Sequence, residues 1–221
     1  MDEEREHDAF WRQFDDMFEC LVDDLVAIQN RIQQDQAVVW RRAFCRALFA
    51  MIEGINSWLK QYVVKFWPGI IGDDTKLALQ DRKIVTNKSG NQNIALAYKP
   101  FAENLYFSFD TFAWTSGSDF CLNRKSEGWV LLNQANIVRN RVVHPKRPDD
   151  LNITDAELAL LQRTFNCYIE QLLQLFRSSG QALMEEAEGL KRAWCKYHPD
   201  QADLADTMDQ ELEELHPHWK K

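Results

Sequence analysis

Apolar side chains recur at three- and four-residue steps from Val38 through Phe44, Leu48, Met51, Ile55, Trp58 and Tyr62 to Phe66. That is the period of a helix with one face pressed against a core. Asp35 is placed to cap this long helix, and Pro68-Gly69 stops it. Such a stripe must be buried against other apolar faces, which in a chain of helices means a bundle.

The rest of the chain supplies those faces. Phe10, Phe14, Met17, Leu21, Leu25, Ile28 and Ile32 keep the same period over residues 9–34. Asp73 or Asp74 offers a cap for a third helix through Leu77, Leu79 and Ile84 and on towards Tyr98, or for two short helices divided by a loop at Asn87–Asn91. Residues 99–128 crowd Phe101, Tyr106, Phe107, Phe109, Phe112, Trp114 and Phe120. They read as a core-covering connection with a short helix near 102–113, or alternatively as a base-stacking surface. From Trp129 to Val143 the helical period returns, with Leu131, Ala135, Val138 and Val142 on one face and Pro145 and Pro148 opening a loop. Thr154 and Glu157 then form a capping box, with Ile153 and Leu158 as its hydrophobic staple, for a helix ending before Gly180.

No series of alternating strands is legible, so the expected fold class is all-α, an antiparallel bundle of four to five helices. With 221 residues, 45% of them apolar, one substantial core is sustainable and a second full domain would strain the length. Residues 1–34 read as an acidic N-terminal amphipathic helix packed on the bundle, 35–180 as the helical domain with its insertion at 99–128, and 181–221 as an acidic peripheral helix and tail.

Charge is unevenly spread. The net charge is −8, yet residues 1–24 hold ten acids against two bases and 181–221 hold ten against five, leaving nineteen bases against fourteen acids in 25–180. A polyanion responds to that local basic field more than to the total, although acidic ends also simply favour solubility. The apolar runs are too short to cross a bilayer, and Met1-Asp2-Glu3-Glu4 has the wrong sign for a signal or transit peptide, so a soluble, cytoplasmic protein is expected. Cys20, Cys45, Cys121, Cys167 and Cys195 form no Cys-x-x-Cys pair, and neither a disulfide framework nor a zinc site is indicated. Dinucleotide, Walker, zincin and nucleophile-elbow motifs do not occur, and no cofactor or metal is expected. His7 reads as solvated, as do His198, His216 and His218 in the acidic tail.

One segment concentrates chemistry. Arg139, Asn140 and His144 lie on the flank and end of an otherwise apolar helix, and His144 precedes Pro145, which pushes it off the helical path. With the apolar face turned to the core, Arg139 lies about 70° from its centre and Asn140 nearly opposite it. A chain leaving the helix at that point can turn the imidazole back towards both. Histidine exchanges protons near neutral pH, arginine grips phosphate through a fixed charged fork, and asparagine orients either group. RNA transesterification needs those functions. Equally, a histidine at a helix C-terminus can serve only as a dipole partner, and a flanking arginine can be plain surface.

Arg139-Asn140, three residues and then His144 resemble the Arg-Asn-x-x-x-His signature of HEPN domains. The order also resembles that family: two long helices, an insertion, a helix ending in the motif, a proline-containing loop and a closing helix. Glu53 is similar to the acidic residue in the corresponding helix of several HEPN ribonuclease groups. The likeness covers residues 35–177 as an arrangement, and the compact bacterial ribonuclease-like HEPN proteins are its nearest subgroup. It implies a HEPN-like bundle and a metal-independent endoribonuclease, often a toxin or antiviral defence effector with an antitoxin or regulatory partner. Two copies would share one composite cleft as a homodimer. On that footing His144 is the acid/base, Arg139 the phosphate or transition-state ligand and Asn140 a positioning group, while Glu53 orients Arg139 or is purely structural. Arg141, Lys146 and Arg147 beside the motif, and Arg42 and Arg46 from the Arg41-Arg42-Arg46 cluster, are candidate contacts to the RNA backbone. The competing reading is a non-catalytic HEPN-like dimer binding nucleic acid, a nucleotide or a partner protein. A third is a helical structural or regulatory protein whose acidic ends occupy its own basic groove or attract a basic partner.

Overall fold

The computed structural model describes residues 2–35, 37–87, 89 and 91–197, with side chains described from Arg5 to Ala182. Helix α1 (Asp2–Gln34) is followed by α2 (Val38–Phe66) and a short α3 (Asp73–Leu79), and then by strands β1 (Arg82–Thr86) and β2 (Gln92–Leu96). Helices α4 (Phe101–Thr115) and α5 (Glu127–Val143), a 3-10 turn (Pro148–Leu151) and α6 (Asp155–Tyr197) complete the order. Among the described residues no helix is long and apolar enough to cross a membrane.

The molecule is built around α2. Leu48, Phe49, Met51, Ile52, Ile55, Trp58, Leu59, Tyr62 and Val63 are all buried, a wider arc than a single stripe, because α1, α4, α5 and α6 each pack against it. Each such side chain contributes about 1.5–3 kcal/mol on burial. Asp35 does not cap this helix. Its carboxylate accepts the Ala37 N–H at 3.1 Å and so fixes the turn from α1, and the helix begins only at Val38.

Helix directions follow from which residues meet. Helix α1 is antiparallel to α2, since His7 reaches Tyr62 and Phe14 packs on Trp58 with ring centroids 4.5 Å apart. Helix α5 is antiparallel to α6, tied by Glu127 to Arg163 at one end and by Arg141 to Glu157 at the other. Helices α4 and α6, however, run parallel to α2. Phe101 lies beside Phe49 and Phe112 beside Tyr62, while Asp155 pairs with Arg41 and Phe176 sits near Trp58. The expected antiparallel arrangement therefore holds only in part. Residues 67–100 carry the chain from the end of α2 back to its middle before α4 begins, so α4 restarts in the same direction.

That return contains the main departure from the expected all-helical chain. Residues 82–96 form an antiparallel β hairpin, with Ile84 opposite Ile94 and Arg82 opposite Leu96. The spacing of Leu77, Leu79 and Ile84 mimics a helix, but Ile84-Val85-Thr86 is a β-branched run, which favours extended backbone. Asn87 closes the loop: its side-chain oxygen accepts the N–H groups of Ser89 (3.0 Å) and Asn91 (2.9 Å). The hairpin is anchored at Asp81, which sits at φ 55°. Its carboxylate receives the buried Lys60 ammonium at 2.9 Å through both oxygens, and its carbonyl accepts the Ala97 N–H at 2.8 Å.

The later elements follow the sequence more closely. Helix α4 covers the core as expected, and Gly117 at φ 68° turns the chain out of it. The capping box of α6 is in place: the Glu157 carboxylate accepts the Thr154 N–H at 2.9 Å, and the Thr154 hydroxyl accepts the Glu157 N–H at 3.3 Å. Gly180 does not end that helix, which runs on to Tyr197. An interior glycine costs about 1 kcal/mol, too little to stop a helix that other contacts hold. The expected tail over 198–221, with His198, His216 and His218, lies outside the described residues.

His7, expected to be solvated, is half-buried. Its Nε2 lies 2.8 Å from the Tyr62 hydroxyl and accepts from the Trp11 indole at 3.3 Å, with Phe66 packed edge-on. Burial holds its pKa below the usual 6.5 against the pull of Asp8, and it raises Tyr62 to about 12. Because the folded chain binds the proton less readily than the unfolded one, the stabilisation present above pH 6.5 is lost as pH falls through the lowered folded value. The Tm drop between pH 7.5 and 5.5 is therefore expected to be larger for the native protein than for His7→Gln; an equal drop in both counts against this account.

Candidate functional site

Helix α5 begins where the Ser126 hydroxyl accepts the Trp129 N–H at 3.2 Å. Leu131, Ala135, Val138 and Val142 are buried, as their spacing requires, and this fixes the rotation of the helix. Arg139 is thereby turned towards α2 and Asn140 outward.

The Arg139 guanidinium is held on three sides. Nη2 donates to Glu53 Oε1 at 2.5 Å, Nη1 donates to Asn140 Oδ1 at 3.1 Å, and the Phe49 ring lies beneath it with its centroid 5.8 Å away. The side chain is 23% exposed against 46% for Glu53, so part of the fork still faces solvent. A carboxylate and a carboxamide thus fix the plane of the cation, and among the described residues its other N–H groups make no further hydrogen bond.

His144 leaves the helix as its place before proline requires, at φ −122° and ψ 59°, with its N–H still donating to the Asn140 carbonyl at 3.0 Å. Its imidazole is exposed. Among the described residues the ring makes no hydrogen bond to Arg139 or Asn140. The following loop is folded around Asp150, whose carboxylate accepts the N–H of Lys146 at 2.8 Å and of Arg147 at 3.0 Å. These backbone bonds, that of Lys146 first, hold Asp150 below its usual pKa. The Lys146 and Arg147 side chains project outward from this loop.

The other basic candidates divide in two. Arg42 donates to the Leu151 carbonyl at 3.3 Å, and Arg41 donates to the Ile153 carbonyl at 3.1 Å and pairs with Asp155 at 2.7 Å. Arg141 pairs with Glu157 at 2.6 Å. These three staple the segment 151–157 to α2 and α5. Arg46 is exposed on α2, as are Lys146 and Arg147 on their loop, the Arg147 guanidinium lying 3.9 Å from the Asp150 carboxylate. Cys45, next to Arg46, is buried, and burial pushes its thiol to about 11 despite the nearby Arg139, Arg46 and Arg141, so it is no nucleophile near neutral pH.

Two polar residues escaped the sequence reading. Asn56, three residues after Glu53, and Asn136, three before Arg139, each carry a buried side-chain oxygen without a hydrogen-bond partner among the described residues. Their only sequence signal is the three-residue step from Glu53 and from Arg139. Phe49, the floor of the guanidinium, lies outside the apolar stripe legible in the sequence. Among the described residues no group of three His, Cys, Asp or Glu side chains is placed to hold a metal ion. A cavity of about 20 Å³ lies elsewhere, near the start of α5 between Leu105, Gly128 and Tyr168, with room for about one water.

The Glu53–Arg139 pair is partly solvated, so its worth to the fold is small. A double-mutant cycle with Glu53→Gln and Arg139→Gln in urea denaturation is expected to give a coupling below about 1 kcal/mol. A coupling of about 3 kcal/mol would make the pair a structural clamp.

Compared with protein-family models, with curated protein sequences and with solved structures, the chain matches none.

Proposed function

We propose that this chain is a metal-independent endoribonuclease of the HEPN kind, acting as a homodimer in a toxin or antiviral role. The observation that carries this reading is the end of α5, where a guanidinium fixed by Glu53 and Asn140 stands one turn from an exposed imidazole. In the reaction His144 takes the proton of the RNA 2′-hydroxyl, whose oxygen attacks the adjacent phosphorus. The free N–H groups of Arg139 hold the charge that builds on the phosphorane oxygens. The bond from phosphorus to the 5′-oxygen then breaks, and that oxygen receives a proton from His144 of the partner subunit, leaving a 2′,3′-cyclic phosphate. A single imidazole is poorly placed to act on both sides of one phosphorus, which is why the reading requires two subunits. Lys146, Arg147 and Arg46 are the cations left to meet the RNA backbone.

One observation favours a second reading. Among the described residues the His144 ring makes no hydrogen bond to Arg139 or Asn140, as it need not in a non-catalytic dimer that binds nucleic acid, a nucleotide or a partner protein through the same surface.

The two are separated by incubating RNA with the protein in excess EDTA. Cleavage leaving 2′,3′-cyclic phosphate ends is expected, falling about 10²–10⁴-fold in His144→Ala and about 10²–10³-fold in Arg139→Ala with both variants folded. Glu53→Gln is expected to slow cleavage about tenfold while changing stability by less than about 1 kcal/mol. Equal inactivity of wild type and variants, with RNA or a partner still bound, selects the binding module. Dilution below the dimer constant is expected to lower the rate per subunit; a verified monomer with an undiminished rate rules out the shared cleft.

A further inference from the structure

Residues 82–102 contain Arg82, Lys83, Lys88 and Lys99 and no acidic residue, in a chain of net charge −8. Most of that stretch is the β hairpin, whose side chains are exposed at every strand position but Ala95. Ile84 and Ile94 pair across the strands, Leu96 extends the same face at 65% exposure, and Tyr98, two residues on, is 76% exposed. At the hairpin base an open groove of about 470 Å³ is lined by Arg82, Lys83, Ile84, Tyr98 and Lys99, with Asp74 on its α3 wall. That volume falls within the roughly 300–1,000 Å³ of small-ligand sites. Among the described residues neither Arg82 nor Lys83 makes an ion pair or a side-chain hydrogen bond. Lys99 is pinned 4.2 Å over the Phe107 ring.

The chain leaving the groove reaches the motif's neighbourhood at Phe101. Phe101, two residues after Lys99, packs on Phe49 at 5.2 Å, and Phe49 also carries the Arg139 guanidinium at 5.8 Å, so Phe101 and Arg139 lie within about 11 Å of each other. The Lys60–Asp81 pair, joined by Asn104 Oδ1 at 3.2 Å from the ammonium, fixes the hairpin base on α2 and α4.

We propose that the hairpin and its groove bind single-stranded nucleic acid, with Arg82 and Lys83 meeting phosphates and Tyr98 stacking on a base. Unpaired cations beside an exposed aromatic ring are the two components of sequence-tolerant single-strand binding. The charge excludes a basic partner, and the outward aromatic ring favours a nucleobase over an acidic peptide. Only the identity of the strand as RNA rests on the ribonuclease reading. On that reading the hairpin is the arm that leads RNA towards Arg139.

The test uses the full chain and a short fluorescein-labelled 2′-O-methyl RNA of mixed sequence, which lacks the attacking hydroxyl and so reports binding whether or not the protein cleaves. Anisotropy titrations are expected to show saturable binding, weakened tenfold or more in Arg82→Glu/Lys83→Glu and about tenfold in Tyr98→Ala, all at exposed positions. The double variant is also expected to flatten the dependence of log K on log salt by roughly one to two units. Folded variants with wild-type affinity and salt slope overturn the proposal. So does failure to bind this RNA together with capture, through the same three side chains, of a peptide spanning residues 198–221, which would assign the surface to an acidic protein segment. Hairpin-dependent binding by a wild-type protein that cleaves no RNA sinks the ribonuclease reading and leaves this one standing. Cleavage with hairpin-independent binding does the reverse.

Discussion

Burial of α2 on most of its circumference is the constraint on which the other elements depend. A helix with Phe49, Ile52, Ile55 and Leu59 all shielded from water leaves no side for a neighbour to omit, so α1, α4, α5 and α6 each take one. The parallel course of α4 follows from the same demand. The chain must return along α2 before it can cover the flank around Phe49, and α3 and the hairpin make that return. Phe101 at the start of α4 and Arg139 on α5 meet through the Phe49 ring of α2.

The candidate site shows how a core can position surface chemistry. Phe49 packs against Phe101 in the core on one side and carries the Arg139 guanidinium on the other. Glu53 emerges one turn later on the same helix and fixes the guanidinium plane. A cation set by an aromatic floor, a carboxylate and an amide has little freedom left to lose when an anion arrives, which is the condition for strong electrostatic stabilisation. His144 is fixed differently. Its backbone is held by the last hydrogen bond of α5 and by the loop wrapped on Asp150, while its ring is left to solvent.

Among the basic residues, chain position was a poor guide to role. Arg41, Arg42 and Arg46 look alike in sequence, yet the first two bind carbonyls of the 151–153 segment and only the third faces water. Arg141, adjacent to the motif, is engaged by the capping-box glutamate of α6. Which guanidinium meets a carbonyl is settled by how α6 approaches α2. Local periodicity does not encode that approach.

What the sequence determined by itself was local: the stripes of α1 and α2, the inward face of α5, the exit of the chain at the His144-Pro145 step, and the reciprocal bonds of Thr154 and Glu157. Each depends on residues within a few positions of one another, where helical period, proline sterics and capping chemistry act without help. Tertiary structure alone decided the rest. The hairpin was hidden because Ile84 fits a helical period as well as a strand. The burial of His7 came from Tyr62 and Phe66, far along the chain, and the continuation of α6 through Gly180 from a cost too small to break it. The grip of Glu53 and Phe49 on Arg139, like the placing of the basic hairpin beside it, required two distant segments to dock on one helix, and only long-range packing sets that geometry.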